Sequence, residues 1–170
     1  EGLPIKIHAH RADDIQTAVR ILEEFNLNYT IEHCTEGYMI PEFLSKHQVR
    51  CVIGPTMNYK SKPEVQNKTF EAGRILNDFK VPFAIMTDHP VIELDNTMLQ
   101  LGRFVRSGLN ELDALKAVTI NAAKLTNIDD RVGSIEVGKD ADIVIWSHNP
   151  FHYLAQPKTI LIDGKIIYKK

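Results

Sequence analysis

Short apolar segments alternate with amphipathic stretches along most of the chain, and three of the apolar segments end in a residue that can ligate a metal. They are Ile5-Lys6-Ile7-His8-Ala9-His10, Thr30-Ile31-Glu32-His33-Cys34 and Ile85-Met86-Thr87-Asp88-His89. Each reads as a β-strand, and the stretches between them carry helical spacing, as in Ile15, Ala18, Val19, Leu22 and Phe25. Strands separated by helices predict a parallel sheet with right-handed crossovers. In such a sheet the C-terminal strand ends converge on one mouth, so His8, His33 and Asp88 can meet on one ion although far apart in sequence.

The expected strands are Leu3 to Ala9, Tyr29 to His33, Arg50 to Gly54 and Val81 to Thr87. The expected helices cover about 13–25, 41–47, 64–79 and 96–107, with a polar loop from Pro55 to Pro63. After Gly108 the organisation changes. Asn110 is a good N-cap for a helix carrying Leu112, Leu115 and Val118, and a short helix follows near 121–125. Turn residues then punctuate three β segments, 141–146, 159–162 and 166–168, the last two joined by Asp163-Gly164, a strong hairpin signal.

Composition narrows the function classes. Hydrophobic residues make up 44% and charged residues 25%, as in an ordinary globular protein, and the formal net charge of -2 with no basic stripe argues against a nucleic-acid partner. No apolar run approaches a membrane span, so no membrane partner is expected. Two cysteines, Cys34 and Cys51, are too few for a disulfide framework and fit a reducing cytoplasm. The chain begins at Glu1 without a Met, as expected of a piece of a longer protein.

The tail Ala114-Leu115-Lys116-Ala117-Val118-Thr119-Ile120-Asn121-Ala122-Ala123-Lys124-Leu125, followed by Val132-Gly133-Ser134-Ile135-Glu136-Val137-Gly138-Lys139-Asp140-Ala141-Asp142-Ile143-Val144, resembles the C-terminal signature of the amidohydrolase superfamily. In that family the segment follows the last barrel strand and returns the chain to a small β-sandwich. Counted backward, the resemblance makes Asp88 the metal-binding Asp of strand eight, His33 the strand-six His and His8 the strand-five His. The His-x-His of strand one and the Lys or Glu of strand four have no counterpart. His8-Ala9-His10 is not that strand-one pair, because too few strands separate it from Asp88. A whole barrel takes about 250 residues. The resemblance therefore implies an α/β chain made of the C-terminal half of a (β/α)8 barrel, residues 1–130, followed by strands of a small β-sandwich, residues 131–170.

The implied activity is metal-dependent hydrolysis of an amide or cyclic amide C–N bond in a small-molecule or dipeptide-like substrate. The motifs around His8 and His33 are most similar to imidazolonepropionases and prolyl-dipeptide hydrolases. The implied cofactor is a divalent metal, zinc first, on His8, His33 and Asp88, with Asp88 also the catalytic proton shuttle. His10 shares a strand face with His8 and either contacts substrate or is a satisfied structural histidine. Glu36 and His89 are weaker candidates. His47 reads as structural at a helix end, His148 and His152 as solvated, and Cys34 and Cys51 as packing residues. Lys60, Lys62 and Lys68 read as a solvated surface whose loop can also form part of a substrate lid. The rival expectation is a non-catalytic fragment that self-associates. In either case the unpaired edges of a half barrel predict a homo-oligomer or pairing with a separate N-terminal half.

Overall fold

The structure, a computed structural model, describes residues 3–170. Four parallel strands lie in the order in which they occur: β1 (Ile5–Ala9), β2 (Tyr29–His33), β3 (Cys51–Ile53) and β4 (Phe83–Ile85). In the register, Ala9 stands beside His33, and His33 beside Ile53. The three strand ends are therefore level, as a shared mouth requires.

Parallel strands need crossovers, and α1 (Ala12–Glu24), α2 (Pro41–Lys46) and α3 (Glu71–Asp78) supply them. Helix α1 buries Ile15, Val19 and Leu22 against the sheet. Side chains of this size contribute about 1.5–3 kcal/mol each when fully buried. The same core takes in Ile31, Cys51, Ile53 and Phe83 from the strands, with Leu101 and Phe104 from α4 (Thr97–Arg106). Cys34 and Cys51 are buried there as free thiols, their Sγ atoms 3.3 Å apart.

Several boundaries differ from those read in the sequence. The first strand starts at Ile5 rather than Leu3, because Ile5 N makes the first ladder bond, to Asn28 O, and Pro4 has no N–H to give. Strand β3 stops at Ile53 because Gly54 (φ +124) turns the chain away, and β4 starts only at Phe83 because the Val81 N–H bonds Leu76 O and Pro82 has no N–H to give. The helix expected over 64–79 is broken. A 3₁₀ turn occupies Pro63–Val65, and α3 begins only at Glu71, whose N–H is taken by Thr69 Oγ1. The Gln66 amide folds back onto the carbonyls of Lys60 and Lys62, which closes the loop on itself instead of extending a helix.

Beyond α4, Asn110 caps α5 (Glu111–Ala117) by accepting from Leu112 N at 2.9 Å, and α6 (Ile120–Leu125) follows. These two helices pack on β4, and Asn121 Nδ2 donates to Phe83 O. The end of α6 reaches the inner face of the sheet, where Lys6 Nζ bonds Leu125 O at 3.3 Å and pairs with Glu32 at 3.6 Å. A hollow of about 470 Å³ remains on that face, among Lys6, Glu32, Val52, Ala84, Met86 and Leu125.

A separate antiparallel sheet closes the chain: β5 (Ile143–Trp146), β6 (Pro157–Ile162) and β7 (Lys165–Lys169). Asp163 and Gly164 both take positive φ, 49° and 72°, as a two-residue hairpin turn demands. Its apolar side chains stay in solvent: Ile145, Ile162, Ile166 and Ile167 are all more than half exposed. No helix is long and apolar enough to cross a membrane among the described residues.

Candidate metal centre

Alternation along β1 turns His8 to the inner face, and His10 follows on the same side just beyond the strand end. The neighbouring strand delivers His33. The ring centroids stand 4.0 Å apart for His8–His33, 4.7 Å for His8–His10 and 4.8 Å for His10–His33. One nitrogen from each ring lies within 4.8 Å of the others. The chain at the end of β2 bends through two consecutive left-handed residues, His33 (φ +67) and Cys34 (φ +43), which is uncommon outside glycine.

Each ring is held from behind. His33 Nδ1 lies 2.8 Å from Gly54 O, where only a protonated Nδ1 can donate, so its Nε2 lone pair is free to ligate. His10 Nδ1 meets Thr35 Oγ1 at 2.8 Å. His8 Nε2 and His10 Nε2 are 2.9 Å apart, so one proton holds these two lone pairs together. Burial, then the like-charged neighbour His33, pushes His10 down to about 4, and the same two causes lower His8. Both rings are thus neutral at pH 7, the form that binds a metal.

The donor set fits a divalent cation of the zinc type. Nitrogens on one tetrahedral zinc stand roughly 3.3 Å apart, from bond lengths of about 2.0–2.1 Å. The spacings here, from 2.9 Å to at most 4.8 Å, bracket that value. A cation between the rings would replace the shared proton. Asp88, in the turn three residues beyond β4, is exposed, and its negative charge acts on His8 against the lowering causes. It stands outside the group of three nitrogens. The sequence makes His8, His33 and Asp88 the ligands and His10 a substrate-contacting or structural residue, and the fold brings the rings of His8, His10 and His33 together.

Glu36 is engaged elsewhere. Its buried carboxylate accepts from Ala12 N at 2.9 Å and Asn67 Nδ2 at 2.8 Å, and its N–H bonds His10 O. It ties the start of α1 to the loop after β2. His89 pairs with Glu93 on the surface at 3.2 Å, and His47 with Glu23 at 2.9 Å. The exposed rings of His148 and His152 stack at 4.9 Å. Lys68 is a correction: it is 9% exposed rather than part of a solvated surface, because its loop folds over it.

Sequence reading missed the residues that hold the site. Thr35 and Gly54 act through a hydroxyl and a carbonyl. Gln100, fully buried in α4, joins two mouth loops by accepting from Thr56 N and donating to Met86 O. A polar residue between the apolar positions of α4 was the available signal. A hollow of about 710 Å³ lies away from all of this on the outer side of α1, around Arg20, Glu23 and His47.

The model of the amidohydrolase family matches residues 1–167. An amidohydrolase from Thermotoga maritima MSB8 superposes with a TM-score of 0.95 at 43% identity, over 99% of this chain and 44% of that one. A Xaa-Pro dipeptidase with methionine in its active site shares the fold, with a TM-score of 0.77 at 22% identity over 99% of this chain and 45% of its own. The imidazolonepropionase of Bacillus cytotoxicus is 25% identical over 99% of this chain and 41% of its own length. The chain therefore spans less than half the length of these relatives. With a family match over almost every residue and imidazoles gathered at the ends of parallel strands, the chain belongs to the amidohydrolase family.

Proposed function

We propose that this chain is the C-terminal half of a metal-dependent hydrolase acting on amide or cyclic amide C–N bonds. In this reading residues 1–130 are strands five to eight of a (β/α)8 barrel with their helices, and residues 131–170 are half of its β-sandwich. The convergence of His8, His10 and His33 on one point is the observation that carries it. The family match and the level strand ends support it. Imidazolonepropionase and dipeptidase relatives support a small cyclic amide or dipeptide-like substrate. The free thiols of Cys34 and Cys51, side by side in the core, suit a reducing cytoplasm.

His8 and His33 would hold the metal, with Asp88 as the oxygen ligand from the opposite edge of the sheet. Zinc, when bound, supplies a water acidified toward pKa ~7 and polarises the carbonyl under attack. A zinc-bound adenosine deaminase from Xanthomonas campestris, of the same fold at a TM-score of 0.71, supports that choice of metal. The Asp88 carboxylate takes the proton from the attacking water and hands it to the departing nitrogen. His10, steadied by Thr35, faces the substrate. Asp88→Asn keeps the shape and removes the base. In the full-length hydrolase it should lower kcat by about 10²- to 10⁴-fold with metal retained. Unchanged turnover with metal retained would take Asp88 out of the mechanism.

A second reading concerns partnership. Exposed isoleucines on β5–β7 and the open hollow inside the β1–β4 sheet favour closure against the missing half, within a longer protein or from a second chain.

A further inference from the structure

Beside the loop that follows β3 lies a hollow of about 480 Å³, walled by Lys60, Lys68 and Arg103. Ion pairs within 4.0 Å among the described residues belong to other cations, so none of these three has a carboxylate partner there. Lys68 is the unusual one. It is 9% exposed, and a buried ammonium without a counter-charge is costly. Its Nζ donates to Asn58 Oδ1 and, at 3.1 Å, to Tyr59 O. An ammonium has three N–H bonds, so one is left over.

The other two cations are similarly placed. Lys60 Nζ spends a bond on Gln66 O at 2.6 Å. Arg103 lays its guanidinium on the Phe70 ring, 4.6 Å from the centroid, which occupies the face of the fork and leaves its N–H edge. The wall holds one carboxylate, Glu71, against three cations, and the hydroxyls of Thr56, Thr69 and Ser107. Burial and then the charge of Lys60 lower the pKa of Lys68. A void of about 10 Å³ behind His33 shares Thr56, Lys68 and Thr69 with this hollow, so Lys68 lies next to the imidazole cluster but outside it.

We propose that Lys60, Lys68 and Arg103 form a binding site for the phosphate or carboxylate group of a small anionic molecule. The volume is within the range of small-ligand sites, about 300–1,000 Å³. Two ammonium point charges and one guanidinium fork are the groups that recognise a tetrahedral or planar oxyanion. The site stands whether or not the hydrolase reading holds, because it needs no metal and no turnover.

Calorimetric titration of the chain with inorganic phosphate and, separately, with succinate at constant ionic strength tests this. Saturable binding at one site is expected, weakened at least tenfold in Arg103→Gln and in Lys68→Met. Binding of phosphate alone assigns a phosphate ligand, and binding of succinate alone a carboxylate ligand. Arg103 and Lys60 are exposed, so Arg103→Gln and Lys60→Gln keep the fold and carry the test if Lys68→Met unfolds. No saturable binding of either anion at millimolar concentration, or unaltered affinity in the Lys60→Gln/Arg103→Gln double variant, would overturn the proposal.

Discussion

Gly54 serves two ends at once. Its carbonyl accepts from His33 Nδ1, and its bare Cα lets β3 and β4 approach so closely that a Cβ would overlap Met86 O. Its φ of +124 also lies where other residues are strained. Gly54→Ala should therefore destabilise the chain by on the order of 2–4 kcal/mol in urea unfolding. A change below ~0.5 kcal/mol would mean that the loop relaxes freely and does not fix His33. At this scale the sequence was only partly legible. His8 and His33, which the fold brings together, could be read because each ends an apolar run. The inclusion of His10 depended on how far β1 continues past Ala9, and the supports Thr35 and Gly54 work through groups that every threonine and every peptide carries. Lys68 was misread because the folding back of Gln66, which closes the loop over it, leaves no periodic trace.

At the scale of elements, periodicity identified each strand and most helices, and failed where side chains competed with the backbone. The apolar spacing of Val65, Thr69 and Ala72 continues through a break that Gln66 and Thr69 create by bonding nearby backbone groups. The Asn110 cap was legible because its chemistry is local: a side-chain oxygen accepts the N–H of Leu112. Asn110→Ala should cost about 1 kcal/mol in thermal or urea unfolding, with Asn110→Gly costing less. Equal stability of Asn110→Ala and the parent chain would show that tertiary packing of Ala114 and Ala117 alone sets the start of α5. The packing of α5 and α6 on β4 was not legible, since it rests on small buried residues, Ala114, Ala117 and Ala123, and on the Asn121 amide reaching a strand carbonyl.

For the whole molecule, the exposed isoleucines of β5–β7 and the hollow on the inner sheet face predict association. Light scattering across a dilution series should give a mass above the monomer at micromolar concentration, falling as the chain is diluted. A single monomeric mass, with the amides at the outer edges of β1 and β4 protected from hydrogen exchange, would show that the chain covers its own edges, as α6 begins to do at β4. The central claim is that one point between β1 and β2 binds a divalent metal. Titration of the chain with zinc, followed by NMR of the imidazole ring nitrogens, tests it most directly. With only part of the ligand set in this chain, binding should be weak but should move the ring signals of His8 and His33 together, and His33→Ala should abolish the shift. Zinc that leaves His8 and His33 unmoved, or that acts instead at the stacked pair His148 and His152, would contradict it.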